Sequence, residues 1–192
     1  MPYTLQLKHT MKKITLIPAL WMAVLIAGCS SSRQSAEGNA ITVKKIWDAA
    51  PHNAFTDLIR FDGYFYCTFR EGPGHVSGPN GTIRVLRSAN GKQWESVTSF
   101  TMQDLDLRDP KLSITPDNRL MVLIDGESYK DGKVATRKPY VAYLDKSVGT
   151  FTIPQLSTVD PTIAVASDWV WRVTWYNGTG YAINYQPNGI YL

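Results

Sequence analysis

Three observations predict an all-β chain, a partial β-propeller of four-stranded antiparallel blades. Prolines recur from Pro51 to Pro161 and break every window long enough for an amphipathic helix. β-branched and aromatic residues fill the runs between them. One hairpin pattern also recurs, with turns centred on Gly63, Asn118 and Gly178, spaced 55 and 60 residues apart, near the length of a propeller blade with long loops. A sandwich is the structural alternative, but its turns recur at shorter intervals without this longer self-similarity.

The first 28 residues come before the repeats. Lys12-Lys13 and the apolar run Ile14–Gly28 lead to Leu25-Ile26-Ala27-Gly28-Cys29-Ser30, the form of a signal peptide ending in a lipobox. The run is too short to span a bilayer. Met11, just before the lysines, is a candidate start. The thiol of Cys29 is the expected lipidation site, and Ser30 after it is similar to the pattern of outer-membrane lipoproteins. The expected location is therefore the cell envelope, outside the cytoplasm, with the lipid as the only contact with the membrane. Residues 29–40, small and polar, read as a lipidated tether, and residues 41–192 as the folded part.

Removing residues 1–28 takes away Lys8, Lys12 and Lys13 and no acid, so the formal charge falls from +4 to +1. A nearly neutral chain gives no reason to invoke nucleic acid. Cys67 is then the one remaining side-chain thiol and reads as a small buried hydrophobe in a strand.

The first copy predicts strands over Phe55–Phe61, Tyr64–Arg70 and Thr82–Arg87, with Asp62-Gly63 as a tight hairpin turn. A second copy runs Arg108–Ile114, turn Pro116–Asn118, Leu120–Ile124, a Gly-rich loop, and Tyr140–Leu144. A third runs Trp169–Tyr176, turn Asn177–Gly180, Tyr181–Tyr185, then a turn and the start of a further strand. The expectation is about two and a half blades, hence a fragment whose terminal blade faces are open to self-association or aggregation.

Ser88-Ala89-Asn90-Gly91-Lys92-Gln93-Trp94, after Val85-Leu86-Arg87, resembles the Asp-box turn of sialidases and related propellers, one residue shorter and with Asn90 in the acidic position. In such a turn the Asx side chain caps backbone amides and the Trp packs between strands. Phe55-Thr56-Asp57-Leu58 stands where sialidases carry Phe-Arg-Ile-Pro, and Phe69-Arg70-Glu71-Gly72 looks like their Phe-Ala-Glu-Gly segment. Asp109-Pro110 sits where their second blade often begins. The resemblance covers roughly residues 50–125 and implies a sialidase-like propeller, often six-bladed, with exo-α-sialidase-related chemistry on extracellular glycans. The chain also departs from that pattern. Thr56 replaces the first carboxylate-gripping arginine, and the loop Gly72–Gly81 carries His75 but no acid.

Inner propeller strands begin at the mouth of the central channel, and each copy places a charged residue there: Asp57, Asp109 and Arg172. Arg108 lies beside the second, while His52, Arg70, Glu71 and His75 fall in adjoining turns. Such a set suits glycoside hydrolysis, in which one group protonates the leaving oxygen and another activates water or attacks carbon. The expected catalytic residues are Asp57, Glu71, His75 and Asp109. The expected substrate-binding residues are His52, Arg70, Arg108 and Arg172. The same residues would equally fit a glycan-binding pocket without turnover, or serve structure: Asp57 and Asp109 as backbone caps, Arg70 and Glu71 as a salt-bridged strand end. Trp169, Trp171 and Trp175 read as core, with any exposed member free to stack on a sugar. Lys130, Lys133, Arg137 and Lys138 read as a solvated loop cluster. No metal constellation, calcium loop or cofactor motif is present in the sequence, so no metal or cofactor is expected.

Overall fold

The computed structural model describes residues 41–76 and 80–192, with one compact unit over Val43–Leu192. The signal segment, Cys29 and the tether lie outside the described residues. The described residues contain no helix. Their twelve strands form three antiparallel sheets, each laid down in chain order.

The first sheet holds β1 (His52–Phe61), β2 (Tyr64–Gly72), β3 (Thr82–Ser88) and β4 (Glu95–Phe100). The second holds β5 (Asp106–Ile114), β6 (Leu120–Lys130), β7 (Lys133–Asp145) and β8 (Thr150–Phe151), with β9 (Gln155–Leu156) also pairing β7. β10 (Trp169–Tyr176), β11 (Thr179–Gln186) and β12 (Gly189–Tyr191) form the third.

Turn chemistry explains the hairpins. Asp62-Gly63, Asp131-Gly132 and Asn177-Gly178 all have positive φ at both residues, 50° and 80°, 51° and 72°, 47° and 81°. That is the geometry a two-residue turn needs to match strand twist. The middle hairpin corrects the sequence reading, which placed a Gly-rich loop between Ile124 and Tyr140. β6 and β7 run on as a paired arm to Lys130 and Lys133, with Asp125 opposite Pro139. Polar residues and Pro139 hid the strand period there.

The Ser88–Trp94 turn is built as its chemistry requires. Asn90 Oδ1 accepts from the backbone N–H groups of Lys92 at 2.8 Å and Gln93 at 3.0 Å, and Ser88 Oγ accepts from that of Gly91 at 2.9 Å. Trp94 packs with Trp47 on the Cys67, Phe69 and Leu86 cluster. Burial, and secondarily the charge of Asp57, pushes the Cys67 thiol up to about 11, so it is an inert core group. The larger core lies between the first two sheets, where Ile83, Val85, Leu107, Leu112, Val122 and Ile124 are fully or almost fully buried.

The inner strands β1, β5 and β10 pack side by side, β5 touching both neighbours. Each carries the same irregularity. Three residues of the inner strand span two of its partner between Ala54 and Asp57, Arg108 and Lys111, and Trp171 and Thr174. This one-residue bulge aligns Phe55 with Asp109 and Arg172, and Asp57 with Lys111. Asp57 and Asp109 are therefore not equivalent positions, as the sequence copies suggested; they lie two residues apart in the repeat.

Candidate functional site

The bulges shape a cavity of about 770 Å³ at one end of the inner strands. β1 contributes Phe55, β2 Arg70, β5 Asp106, Arg108 and Asp109, β6 Glu127 and Tyr129, β7 Arg137, and β10 Trp169 and Trp171; His75 comes from the loop after β2. Phe55 and Asp109, the first unpaired residue of each bulge, have φ of 61° and 44°. A bulky Phe in that region is strained, and strain held by surrounding structure is a feature of working sites.

Asp109 differs from every other carboxylate on the cavity wall. Its side chain has no hydrogen bond or salt bridge among the described residues. Burial pushes it above the ordinary carboxylate range, with Arg108 and Lys111 pulling the other way. It is thus a carboxyl group that holds its proton more tightly than usual at the edge of a cavity.

The other acids are occupied. Asp106 Oδ1 accepts from Arg70 Nη2 at 2.8 Å, Arg70 Nε at 3.1 Å and the Gly81 backbone N–H at 2.7 Å. Glu127 accepts from both Nε, at 2.8 Å, and Nη2 of Arg137, and from the Tyr129 hydroxyl. Burial and this bond to Glu127 push the Tyr129 phenol up to about 12. Behind them Asp125 is buried with neither oxygen hydrogen-bonded among the described residues, although Arg137 Nε lies 3.1 Å away. Burial pushes it up to about 9, keeping it protonated near neutral pH despite that arginine.

Glycines make room for the arginine. A Cβ on Gly81 would lie 2.3 Å from Arg70 Nε, and one on Gly72 2.7 Å from its Nη1. Arg70 cannot step aside cheaply, because it is 2% exposed and its Nη1 also donates to the Gly74 carbonyl at 2.8 Å.

Of the eight sequence-derived candidates, the structure brings His75, Asp109, Arg70 and Arg108 to the cavity wall. His52 stands beside it, with Nε2 3.4 Å from His75 Nδ1. Asp57 and Arg172 pair at 2.6 Å away from the cavity wall, and the second oxygen of Asp57 accepts from the Leu112 backbone N–H at 2.8 Å. Glu71 is elsewhere too, with its carboxylate held by Arg84 at 2.8 Å and by the Trp47 indole N–H. Asp57 and Glu71, expected as catalytic, thus lie off the cavity wall, each paired with an arginine. Arg137 and Lys138 correct the expected solvated cluster: Arg137 pairs with Glu127 and Asp125, and Lys138 with the fully buried Asp168. Sequence reasoning did not single out Asp106, Glu127 or Tyr129. Alternation of charge along Asp106-Leu107-Arg108 and Asp125-Gly126-Glu127 was the available signal. Among the described residues no group of three or more His, Cys, Asp or Glu is arranged to hold a metal ion.

No protein-family model and no curated protein matches the chain. Among solved structures it is similar to a protein of unknown function from Dyadobacter fermentans, at 18% identity and TM-score 0.48 over 69% of this chain and 50% of that one. It is also similar to an arabinanase from Bacillus subtilis, at 15% identity and TM-score 0.46 over 75% and 52%. A Bifidobacterium bifidum protein described as an exo-β-1,3-galactanase gives 17% identity and TM-score 0.43 over 68% and 44%. The chain thus spans about half the length of the solved structures it matches.

Proposed function

We propose that this chain is part of a sialidase-like propeller glycoside hydrolase, exo-α-sialidase-related in architecture and held at the cell envelope through lipid on Cys29, where it acts on extracellular glycans. Three features support the propeller reading: the meander order of each sheet, the shared bulge, and the adjacency of β1, β5 and β10.

Asp109 carries the catalytic reading. A carboxyl group with raised proton affinity and no partner in the protein is suited to giving a proton to a glycosidic oxygen. As the proton arrives, the bond to carbon breaks with its electron pair going to that oxygen, and water adds to the sugar carbon while its proton returns to a carboxylate of the site, which restores Asp109 to its protonated form. Glu127 is the second carboxylate of the site, facing the same cavity. Arg70 and Arg108 hold the wall in place, and His75 closes its loop side. Asp57 and Arg172 act at a distance, tying the strand that bears Asp109 to its neighbours.

Replacing Asp109 with Asn tests this. Release of sugar from a mixed glycan panel is expected to fall by about 10²–10⁴-fold, with the melting temperature nearly unchanged because no partner is lost. Equal release by both proteins would remove Asp109 from the mechanism. Lipidation is tested by mass spectrometry of the intact protein from cells, where Cys29→Ser is expected to abolish the acyl adduct and an unchanged adduct would contradict the anchor.

One observation favours a second reading, a glycan-binding lipoprotein without turnover. Asp106 and Glu127 are both engaged with arginine, which leaves Asp109 as the one uncommitted carboxylate lining the cavity among the described residues. That reading expects saturable binding in calorimetry with no product.

A further inference from the structure

Resting on the glycan reading above, we infer that the cavity takes an uncharged sugar and discriminates against one bearing a carboxylate. The inference comes from what its three arginines are already doing. Recognition of a carboxylate by arginine depends on two parallel N–H donors from one planar fork. Arg70 spends Nε and Nη2 on Asp106, at 3.1 and 2.8 Å, and Nη1 on the Gly74 carbonyl. Arg137 spends the same fork on Glu127. Arg108 gives Nη1 to the His75 carbonyl at 3.1 Å and to Asp106 at 3.4 Å, while its Nε side faces Glu127 at 3.8 Å.

Among the described residues the Arg70 and Arg137 forks are closed, and the Nε side of Arg108 makes no hydrogen bond but faces Glu127. At Arg70 or Arg137 an incoming carboxylate would have to displace Asp106 or Glu127, leaving the displaced group buried without its cation, and at Arg108 it would come up against Glu127. Asp106 and Glu127 would also repel the newcomer directly, at short range and in a poorly solvated place.

What the wall still offers suits hydroxyl groups and ring faces. Asp109 is an unpartnered acid that can exchange a hydrogen bond with an OH group. Trp169 and Trp171 meet edge to face at 5.5 Å, and Trp171 is 37% exposed. Phe55, Val76 and Val134 add apolar surface. Aromatic faces pack on the C–H side of a pyranose or furanose ring while single donors and acceptors take its hydroxyls.

The test compares the full chain, purified with its lipid in detergent, against two sets of methyl glycosides by saturation-transfer NMR and calorimetry. The neutral set is galactose, glucose and arabinose; the acidic set is galacturonate, glucuronate and sialic acid. The expected result is that the best neutral glycoside binds at least about tenfold more tightly than the best acidic one. Asp106→Asn and Glu127→Gln, each of which frees arginine donors, should narrow that ratio. Two variants are used so that a poorly folded one is set aside, and circular dichroism identifies the one to read. Tighter or equal binding of an acidic sugar by the unaltered protein would overturn the inference, as would absence of binding by both sets, or a ratio unchanged in a folded variant. Sugar release from the matching oligosaccharides is measured separately. Neutral binding without release would sink the hydrolase reading and leave this inference standing.

Discussion

Asp109 and Asp125 are both acids held above the ordinary carboxylate range, and each has a distinct pH consequence. In its proposed role of proton donor Asp109 would work only while protonated, so turnover should persist above the usual carboxylate pKa and fall as pH rises through its raised value. An initial-rate profile whose alkaline limb is set by Asp109, and is absent in Asp109→Asn, checks this. Asp125 governs stability instead. Its folded value is about 9 against an ordinary 3.8, so between those values the folded chain keeps a proton that the unfolded chain has lost. Stability contributed by the protonated form is full below about pH 4 and declines as pH rises toward about 9. Melting curves across that window should show the decline, and Asp125→Asn, which mimics the neutral acid, should flatten it. Arg70 poses the opposite case, a paired buried charge. Removing Asp106 as Ala strands Arg70 in a place that is 2% exposed and should cost about 3–5 kcal/mol, read by chemical denaturation.

At the scale of elements, the turns were the legible part. Asp62-Gly63 and Asn177-Gly178 carry the residues that positive φ favours; the first forms the tight turn its sequence predicts, and the second is tighter than the expected turn Asn177–Gly180, since β11 starts at Thr179. Asn90 could be read as an amide cap because Asx side chains fold back on the next backbone groups, and it makes those bonds. Asn90→Ala should lower stability by about 1 kcal/mol, whereas Asn90→Asp should be tolerated, and thermal melts of the two decide it. The β6–β7 arm was illegible for a physical reason. Asp125 and Glu127 sit in β6 facing Arg137 of β7 across the sheet, so their polarity mimics a loop while the burial of the two acids is that of a core. The site suffered most from this, since Glu127 and Arg137 come from that arm. The bulges were hidden as well, because an extra residue in a strand leaves no compositional trace. The shared bulge matches Asp109 with Phe55 and Asp57 with Lys111, so matching the two copies by their acids placed Asp57 two residues out of step.

Across the whole molecule, the three sheets are joined at their inner strands by few polar links, and Asp57 is central to them. It bonds the Leu112 N–H in the second sheet and Arg172 in the third. Arg172 is 46% exposed on its side chain, so solvent weakens that ion pair and Asp57→Asn should cost less than about 1 kcal/mol. Asp57→Ala leaves a buried N–H unpaired and should cost about 1–3 kcal/mol. Hydrogen exchange should then show β5 and β10 opening together more often, while equal exchange in the two variants would mean that the sheets are coupled elsewhere. The measurement that bears most directly on the whole account is sugar release from a mixed panel of neutral and sialylated oligosaccharides, read by mass spectrometry for the unaltered chain and for Asp109→Asn. Release of a neutral sugar that disappears with Asp109→Asn is the predicted result. Release that survives the substitution, or no release from any member of the panel, would contradict it.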